Sequence, residues 1–333
     1  MVRRNQDENQ LLGRIAQIFA GKRGSRHRAL RLGIGDDAAL YTPRSGYESI
    51  LTCDWFLEGT HFLRKQHPAD ATGWKCLARA VSDVAAMGGV PQCFLLSLAL
   101  PSSHTGRWLD QFLGGLRRAS RRFGCALAGG DTTRQERILI NVSVVGEVRA
   151  ERAILRSGAR PGDLIYVSGR LGEAELGLRL LRASKTKTGN SKAWLRKHLY
   201  PEPRLRLGRW LAENRIATAM MDLSDGLSSD LARLCAASGV GGRIEETKLP
   251  VMKLSARFAR GGVDPLKLAL DGGDDYELLF TVPKGKARLV PGSFEGLRLT
   301  KIGEVTRKKK IILGQVGGLT RELMPRGWDP FRR

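Results

Sequence analysis

Aspartates stand beside glycine-rich segments and strand ends throughout this strongly basic chain, and their chemistry is the first feature to explain. These positions are Asp36, Asp37, Asp54, Asp83, Asp131, Asp222, Asp225, Asp274 and Asp275. If folding brings so many carboxylates together, they repel one another unless hard cations hold them. Carboxylate oxygens suit Mg²⁺, so the pattern predicts a magnesium site.

The chain must hold any phosphate ligand without a Walker loop, because it contains no G-x-x-x-x-G-K-[ST] segment. Carboxylates with bridging Mg²⁺ are another way to hold phosphates. The segment from Gly33 to Ala38 fits the G-x-G-x-x-A form of a dinucleotide-binding turn, but the flanking strand and helix are missing. Two adjacent carboxylates would also repel a bare pyrophosphate. We therefore interpret the segment as a metal-bridged phosphate loop, with a plain surface turn as the alternative.

A second acidic segment runs from Asp222 to Asp230, where a predicted strand leads into a helix. It holds three aspartates and three serines in nine residues, and helix capping explains only one or two of them. A metal and phosphate role is the stronger interpretation for Asp222 and Asp225. Asp83 stands inside a predicted helix, where a metal would relieve the cost of a buried carboxylate. The two Gly-Gly-Asp segments, at 129–131 and 272–274, are compatible with either ligand loops or ordinary glycine turns.

The elements that must position these residues follow from apolar spacing. Helices are predicted at residues 11–19, from a cap at Asp70, and at 107–123, 173–181 and 225–237. Strands are predicted at 48–57, 93–100, 125–128, 137–148, 164–168, 217–223 and 276–282. Because strands and helices do not alternate regularly, the sequence favours an α/β fold with α+β layers over a doubly wound sheet. The length of 333 residues predicts two domains, 1–148 and 149–333, with the change near Arg149.

Composition bounds the function classes. A formal charge of +23 suits an anionic partner such as nucleic acid, but the basic clusters lack interleaved aromatic side chains that stack on bases. We interpret them as solvated faces and keep a basic nucleic-acid-binding protein as the most distant alternative. The longest apolar run, 93–100, is too short to cross a bilayer. The five scattered cysteines are expected to be reduced thiols, mostly buried, in a cytoplasmic protein.

Seven segments in order resemble the thiamine-monophosphate kinase family. The match extends from about residue 32 to 331 and consists of Gly33–Leu40, Asp54–Phe62, Ser82–Gly88, Gly129–Arg134, Arg156–Asp163, Asp222–Leu227 and Gly272–Leu278. Any one of these segments is a weak signal, whereas seven in order are specific.

This resemblance implies the two-domain fold of aminoimidazole ribonucleotide synthetase, with an N-terminal domain that dimerises through its sheet as a shared sheet or barrel. It implies direct transfer of the γ-phosphoryl group of ATP to thiamine monophosphate, with several Mg²⁺ ions and no phosphoenzyme. It also implies a homodimer. The short apolar runs argue against a membrane partner, and nucleic acid is an unlikely partner despite the high positive charge.

The same resemblance implies roles for particular residues. The metal contacts would be Asp37, Thr52, Cys53, Asp54, Asp83, Asp131, Asp222 and Asp225. The ATP contacts would be Gly130, Asp131, Arg156 and Ser224, and the substrate contacts His61, Asp274 and Trp328. The catalytic set would be Asp37, Asp54, Asp222 and Asp225.

The chain departs from the family pattern at two positions. Cys53 stands where a hydroxyl residue is usual, and a thiol is a poor Mg²⁺ ligand, so that contact would use the backbone carbonyl or be missing. Asp274 stands where glutamate is common, which shortens its reach. Another phosphotransferase or synthetase of the same superfamily, such as an aminoimidazole ribonucleotide synthetase, is the alternative activity. The basic insertion near 183–192 has no assigned role.

Overall fold

The computed structural model describes residues 8–19, 29–34, 36–183, 191–252, 254 and 262–331. Most of the basic insertion, Gly35 of the first glycine loop and the terminal Arg332 and Arg333 lie outside the described residues. The chain divides into two compact units. The first is Met1–Val84 with Gly89–Ala150, and the second is Ala85–Gly88 with Glu151–Arg333.

The first unit is built on a four-stranded sheet with the order β3-β6-β4-β5. Only the β4–β5 pair is parallel; β3–β6 and β4–β6 are antiparallel, and β1 and β2 form a separate antiparallel pair. The strands are β1 (Leu30–Leu32), β2 (Leu40–Tyr41), β3 (Tyr47–Leu57), β4 (Val90–Leu100), β5 (Ala126–Arg134) and β6 (Leu139–Arg149). The helices are α1 (Glu8–Phe19), α2 (Ala69–Ala86) and α3 (Arg107–Phe123).

Strand β3 shows how this sheet is oriented. Ile50 and Phe56 are buried, whereas Leu51 and Trp55 are exposed, because side chains alternate between the faces of a strand. We call the face that carries Leu51 and Trp55 the outer face. The sheet is open within one chain, so the barrel that the resemblance implies is not formed by this unit alone.

The second unit is built on an eight-stranded sheet with the order β14-β13-β9-β12-β7-β10-β8, and β11 pairs with β12. The β9–β13 pair is parallel and the other pairs are antiparallel. The strands are β7 (Leu164–Ser168), β8 (Ala219–Asp222), β9 (Gly241–Glu245), β10 (Leu278–Val282), β11 (Ser293–Phe294), β12 (Leu297–Thr306), β13 (Ile311–Gly314) and β14 (Thr320–Glu322). The helices are α4 (Glu173–Arg182), α5 (Ser191–Leu199), α6 (Leu205–Glu213), α7 (Leu227–Ser238) and α8 (Pro265–Asp271).

Helices cover both faces of the second sheet. Val167 and Met221 pack in one core cluster with Leu231 of α7. Their strand neighbours Tyr166 and Met220 point to the opposite face and pack in another cluster, with Leu207 and Leu211 of α6 among its members. Burial on both faces explains why β8 and β10 are apolar along almost their whole length.

The mixed α/β fold predicted from the sequence is confirmed, and several predicted elements have the observed bounds. Helix α3 runs from Arg107 to Phe123 and ends at Gly124, whose φ of +66° is the left-handed conformation that glycine adopts most easily. Strand β7 covers the predicted residues 164–168. Helix α2 begins at Ala69, so the prediction that Asp70 is its cap was wrong; Asp70 lies in the first turn.

The predicted turn at residues 129–131 was also wrong. Gly129, Gly130 and Asp131 lie inside β5 and pair in parallel with Leu95, Leu96 and Ser97 of β4. Gly130 here allows close backbone approach between neighbouring strands, because a Cβ at this position would lie 2.0 Å from the Leu96 carbonyl oxygen.

The five cysteines are free, and all except Cys53 are buried. Burial raises the pKa of Cys93 and Cys235 to about 11, so these thiols stay protonated at neutral pH. Among the described residues, no helix has the length and apolar character that crossing a bilayer requires.

Candidate active site

Two of the predicted acidic residues of the first unit, Asp54 and Asp83, lie where β3 faces α2. Thr52 and Asp54 share the face of β3 that carries Ile50 and Phe56. The Thr52 hydroxyl donates a hydrogen bond to Asp83 Oδ2 at 2.5 Å, which ties the strand to the helix. The structure therefore brings together three of the residues predicted to contact metal.

The environment of Asp83 differs from the one expected. Its side chain is half-buried and accepts the Thr52 hydrogen bond, so a metal is not needed to relieve the cost of burying the carboxylate. The role of Asp83 as a metal contact stays a prediction.

Arg79 belongs to the same cluster and was missed by the sequence analysis. Its Nε lies 3.9 Å from Asp54 Oδ2, and its guanidinium carbon lies 5.4 Å from the centre of the Phe56 ring. Arg79 precedes Asp83 by four residues on α2, so both side chains project from one face of the helix. This spacing was the available signal.

Cys53 faces the other way. Its side chain is exposed on the outer face, where Asn141 Nδ2 lies 3.6 Å from Sγ. The thiol therefore points away from the side chains of Thr52 and Asp54. That Cys53 contacts metal through its backbone carbonyl, or makes no such contact, stays a prediction.

Gly130 and Asp131 lie at the opposite edge of the sheet from Asp54. Asp54 pairs with Val142, which pairs with Leu96, which pairs with Gly130. Three strand spacings of about 4.8 Å separate Asp54 from Gly130, which gives about 14 Å. Asp54 and Gly130 share a row of the sheet without touching each other, whereas Asp131 lies in the next row, with Ser97, Asn141 and Trp55.

Gly130 is expected to tolerate no side chain. A Cβ there would lie 2.0 Å from the carbonyl oxygen of Leu96, whereas at Gly129 the nearest atom would be a side-chain carbon of Leu95 at 3.5 Å. We expect Gly130→Ala to lower the free energy of unfolding by about 1–3 kcal/mol or more, because the two strands must separate. Gly129→Ala is the matched control and should cost less. Equal thermal unfolding midpoints for the two variants would contradict the prediction.

The remaining predicted residues of the first unit are Asp37 and His61. The Asp37 backbone N–H donates to Asp36 Oδ1 at 2.9 Å, and both side chains are exposed. His61 stacks on Phe56, and its Nδ1 accepts a hydrogen bond from the Leu57 backbone N–H at 3.0 Å. Because Nδ1 is an acceptor in this contact, the ring proton of the neutral His61 imidazole belongs on Nε2, which makes Nε2 a donor.

In the second unit the two acidic segments are joined through their backbones. The Asp274 N–H donates to the Ser224 carbonyl at 2.8 Å, and the Tyr276 N–H donates to the Leu223 carbonyl at 2.9 Å. Asp222 is the last residue of β8 and is buried. The structure therefore brings Asp222, Ser224 and Asp274 into one region of this unit.

Two aspartates of the nine-residue acidic segment, Asp230 and Asp225, have different roles. Asp230 is fully buried, and its Oδ2 accepts hydrogen bonds from the backbone N–H groups of Asp225 and Gly226, at 3.0 and 3.1 Å. Burial, and next the Asp225 carboxylate, raise the pKa of Asp230 to about 7, against the opposing effects of the Asp225 N–H and of Arg233. Asp230 thus shapes the turn, and Asp225 remains the partly exposed carboxylate, paired with Arg233.

The adjacent pair Asp274 and Asp275 also separates by burial. Asp275 is buried, and its side chain packs against the first turn of α4. There it accepts hydrogen bonds from the backbone N–H groups of Gly172 and Ala174 at 2.6 and 3.2 Å. Asp274 is half-buried, has a φ of +68°, and accepts a hydrogen bond from the Tyr276 hydroxyl at 2.8 Å. Asp274 is therefore the member of the pair that a ligand can reach.

Trp328 and Arg156 complete the predicted residues. Trp328 is 46% exposed and lines a cleft of about 300 Å³ together with Arg233 and Asp329. Arg156 is exposed, and its backbone carbonyl accepts a hydrogen bond from the Ser238 hydroxyl at 3.2 Å.

A buried charged cluster in the second unit had not been predicted. Glu277 is fully buried and binds Lys197 and Arg204, while the Ser168 hydroxyl donates to its Oε2 at 2.6 Å. Although burial alone raises the pKa of Glu277, the two cations lower it to about 2. The partners come from positions 73 to 109 residues away, so no local pattern could have revealed the cluster.

Within the part of the chain that the structure describes, no three His, Cys, Asp or Glu side chains form a metal-binding group by themselves. Mg²⁺ in nucleotide enzymes is commonly held by one or two carboxylates plus substrate phosphates and water. The oxygen donors of Thr52, Asp54 and Asp83 fit that requirement in their chemistry.

Comparison with known proteins identifies the family. Residues 35–148 match the N-terminal domain model of AIR synthase related proteins, and residues 160–314 match the C-terminal domain model. The thiamine-monophosphate kinase of Aquifex aeolicus is 38% identical over 300 residues, covering 90% of this chain and 92% of the relative. That of Escherichia coli K12 is 38% identical over 300 residues, covering 88% and 89%. The chain belongs to the thiamine-monophosphate kinase family.

Solved structures agree with this membership. The thiamine-monophosphate kinase of Stenotrophomonas maltophilia K279a is 34% identical, covers 92% of this chain and 96% of its own, and has a TM-score of 0.80. The structure of AaThiL complexed with AMPPCP and TMP is 34% identical, covers 98% of both chains and has a TM-score of 0.77. The hydrogenase maturation protein HypE in complex with ATP, at 19% identity and a TM-score of 0.77, shows the shared fold alone.

Proposed function

We propose that the chain catalyses transfer of the γ-phosphoryl group of ATP to thiamine monophosphate, forming ADP and thiamine diphosphate. The observation that carries this proposal is the similarity to thiamine-monophosphate kinases along nearly the whole chain. The similarity to a solved kinase that holds both AMPPCP and TMP supports it further.

The reaction needs charge neutralisation more than a base. The bond between the γ-phosphorus and the β–γ bridging oxygen breaks, and an oxygen of the thiamine phosphate forms the new bond to that phosphorus. Phosphate monoesters have a second pKa of about 6, so the attacking oxygen is already anionic at neutral pH. The remaining difficulty is the approach of two polyanions, and Mg²⁺, when bound, neutralises part of that charge.

The metal contacts in this proposal are Asp37, Thr52, Cys53, Asp54, Asp83, Asp131, Asp222 and Asp225, with Cys53 contributing through its backbone. In the first unit, the hydrogen bond between Thr52 and Asp83 and the nearby Arg79 hold the oxygen donors in place. In the second unit, Arg233 and the Asp230 turn hold Asp225. Asp37, Asp54, Asp222 and Asp225 form the catalytic set.

ATP would be held by Gly130, Asp131, Arg156 and Ser224, and thiamine monophosphate by His61, Asp274 and Trp328. The Nε2–H of His61 is a donor suited to a phosphate oxygen, given the acceptor role of its Nδ1. The exposed indole of Trp328 offers an aromatic face to the cationic thiazolium ring. The first unit would supply Gly130 and Asp131 to ATP and the metal contacts from Asp37 to Asp131, and we place the reaction in the cytoplasm.

We further propose that the enzyme is a homodimer whose interface includes the outer face of the first sheet. Leu51, Trp55 and Leu95 are exposed there by 75%, 54% and 43%, an apolar set that a second copy would cover. Light scattering should give twice the chain mass of 36.6 kDa. Trp55→Lys should yield monomer, whereas Leu319→Lys, at an exposed leucine of the second unit, should not. A monomeric wild-type protein would refute the proposal.

The test of the activity uses the purified protein with ATP, Mg²⁺ and thiamine monophosphate. Chromatography should show ADP and thiamine diphosphate in equal amounts, and neither without magnesium. Folded dimeric protein that makes no thiamine diphosphate would exclude the proposed reaction and direct the search to other phosphorylated acceptors.

A further inference from the structure

Residues 326–328, which we call the tail, are hydrogen-bonded to residues at and just before the start of α7 through three successive backbone N–H groups. The Arg326 N–H donates to the Ser228 hydroxyl oxygen at 3.2 Å, and the Gly327 N–H to the Ser229 hydroxyl oxygen at 3.0 Å. The Trp328 N–H donates to the Asp225 carbonyl at 2.8 Å. The backbone that carries the Trp328 indole is therefore bonded at three consecutive positions.

Ser228 also reaches the segment that carries Asp274. Its hydroxyl donates to Asp271 Oδ1 at 2.8 Å, and Asp271 is the last residue of α8, three positions before Asp274. Ser228 is fully buried and Ser229 is 7% exposed. A hydroxyl in such surroundings is held by its protein partners, so its geometry is well defined.

The contact at Gly327 is too close for any side chain. A Cβ there would lie 2.0 Å from the Asp225 carbonyl oxygen and 2.8 Å from the Ser229 hydroxyl oxygen. The segment thus lies directly on the turn that contains Asp225. The N-cap of α7 is Gly226, and no side-chain hydrogen bond caps the helix. Ser228 and Ser229 therefore do not cap α7; their hydroxyl groups bind the tail.

We propose that Ser228 and Ser229 are positioning residues that hold Trp328 in place for thiamine monophosphate. This inference rests on the proposed contact between Trp328 and that substrate. The two serines act through the tail backbone, and Ser228 additionally couples the tail to α8. Ser228 and Ser229, the two serines of the acidic segment without a proposed ligand contact, thereby gain a function other than phosphate binding.

Ser229→Ala tests the proposal. Loss of one hydrogen bond should raise the KM for thiamine monophosphate by about 3–10-fold, while kcat and the KM for ATP change by less than about twofold. Ser229→Thr keeps the hydroxyl and should restore most of the KM. Ser120→Ala, which deletes a hydroxyl bonded to the Cys125 carbonyl in the first unit, is the matched control and should leave both KM values unchanged.

The Trp328→Ala background separates positioning from a general structural effect. If Ser229 acts through Trp328, adding Ser229→Ala to Trp328→Ala should not raise the KM further. An equal rise in both backgrounds, or no rise in the wild-type background, would overturn the proposal.

Amide hydrogen exchange at Gly327 keeps this test separate from the activity. The Gly327 amide should exchange faster in Ser229→Ala than in wild type, and not in Ser120→Ala. If wild-type protein makes no thiamine diphosphate but the Gly327 amide still exchanges faster in Ser229→Ala than in wild type, the proposed reaction is refuted while the bonding of the tail by Ser229 is supported. Unchanged exchange at Gly327 would refute that bonding, whatever the activity.

Discussion

Asp54→Ala is expected to lower kcat for thiamine diphosphate formation by about 100-fold or more while the protein remains folded. Asp54 lies on the same face of β3 as Thr52, and its Oδ2 lies 3.9 Å from Arg79 Nε, so the substitution removes one carboxylate of the proposed metal contacts. Removing one preorganised electrostatic group from an active site commonly costs about 10²–10³-fold in kcat. Initial rates at saturating ATP and Mg²⁺ are the measurement.

Glu48→Ala is the matched control for this experiment. Glu48 lies on the same face of β3 as Asp54, six residues earlier in the strand, and it is exposed. Its removal should change kcat by less than about twofold. Asp222→Ala in the second unit should also abolish turnover. Wild-type rates in Asp54→Ala, with a normal circular dichroism spectrum, would eliminate Asp54 as a metal contact.

Glu277→Ala is expected to lower the free energy of unfolding by about 3–5 kcal/mol, the largest stability effect that we expect from one substitution. Glu277 is fully buried and binds Lys197 and Arg204, so its removal leaves two cations facing each other with little solvent. Breaking a buried ion pair by removing one partner typically has this cost. Urea unfolding at pH 7 measures it.

Glu213→Ala provides the comparison at the surface. Glu213 pairs with Arg209 four residues earlier on α6, with both side chains about half exposed. Surface pairs of this kind contribute at most about 0.5 kcal/mol. If Glu277→Ala lowered the free energy of unfolding no more than Glu213→Ala does, the buried cluster would not be a main source of the stability of this unit.

The same cluster predicts a pH dependence. Its two cations hold the pKa of Glu277 at about 2 despite burial, below the ordinary value of 4.5. Because the folded-state pKa is lowered, the stabilisation is fully present above pH 4.5 and is lost as the pH falls towards 2. The difference corresponds to about 3 kcal/mol. Wild-type protein should therefore lose more stability between pH 6 and pH 3 than Glu277→Gln does, and equal losses would contradict the assignment.

Much of the fold was available from local patterns. The helical spacing of apolar residues and the following glycine set the bounds of α3, and turn residues around β7 set the bounds of that strand. The seven ordered segments were enough to predict the kinase family, which the comparisons confirm. Such features depend on neighbours a few positions apart, so they can be read without knowing how the chain folds.

Residues that look alike in the sequence took different roles after folding. Asp230 and Asp275 became buried acceptors of backbone N–H groups, whereas Asp225 and Asp274 kept partial exposure. The difference is one of burial and hydrogen-bond partners, which neighbouring residue types do not specify.

The contacts that hold the candidate site come from distant parts of the chain. Thr52 meets Asp83 across 31 residues, Ser168 meets Glu277 across 109, and Gly327 meets Ser229 across 98. Local propensity therefore accounts for the elements and for the acidic residues that they carry. Long-range packing decides which carboxylates remain accessible to ligands and which are buried and hydrogen-bonded within the protein. The reason is that close contact in space sets the burial and the partners of each carboxylate.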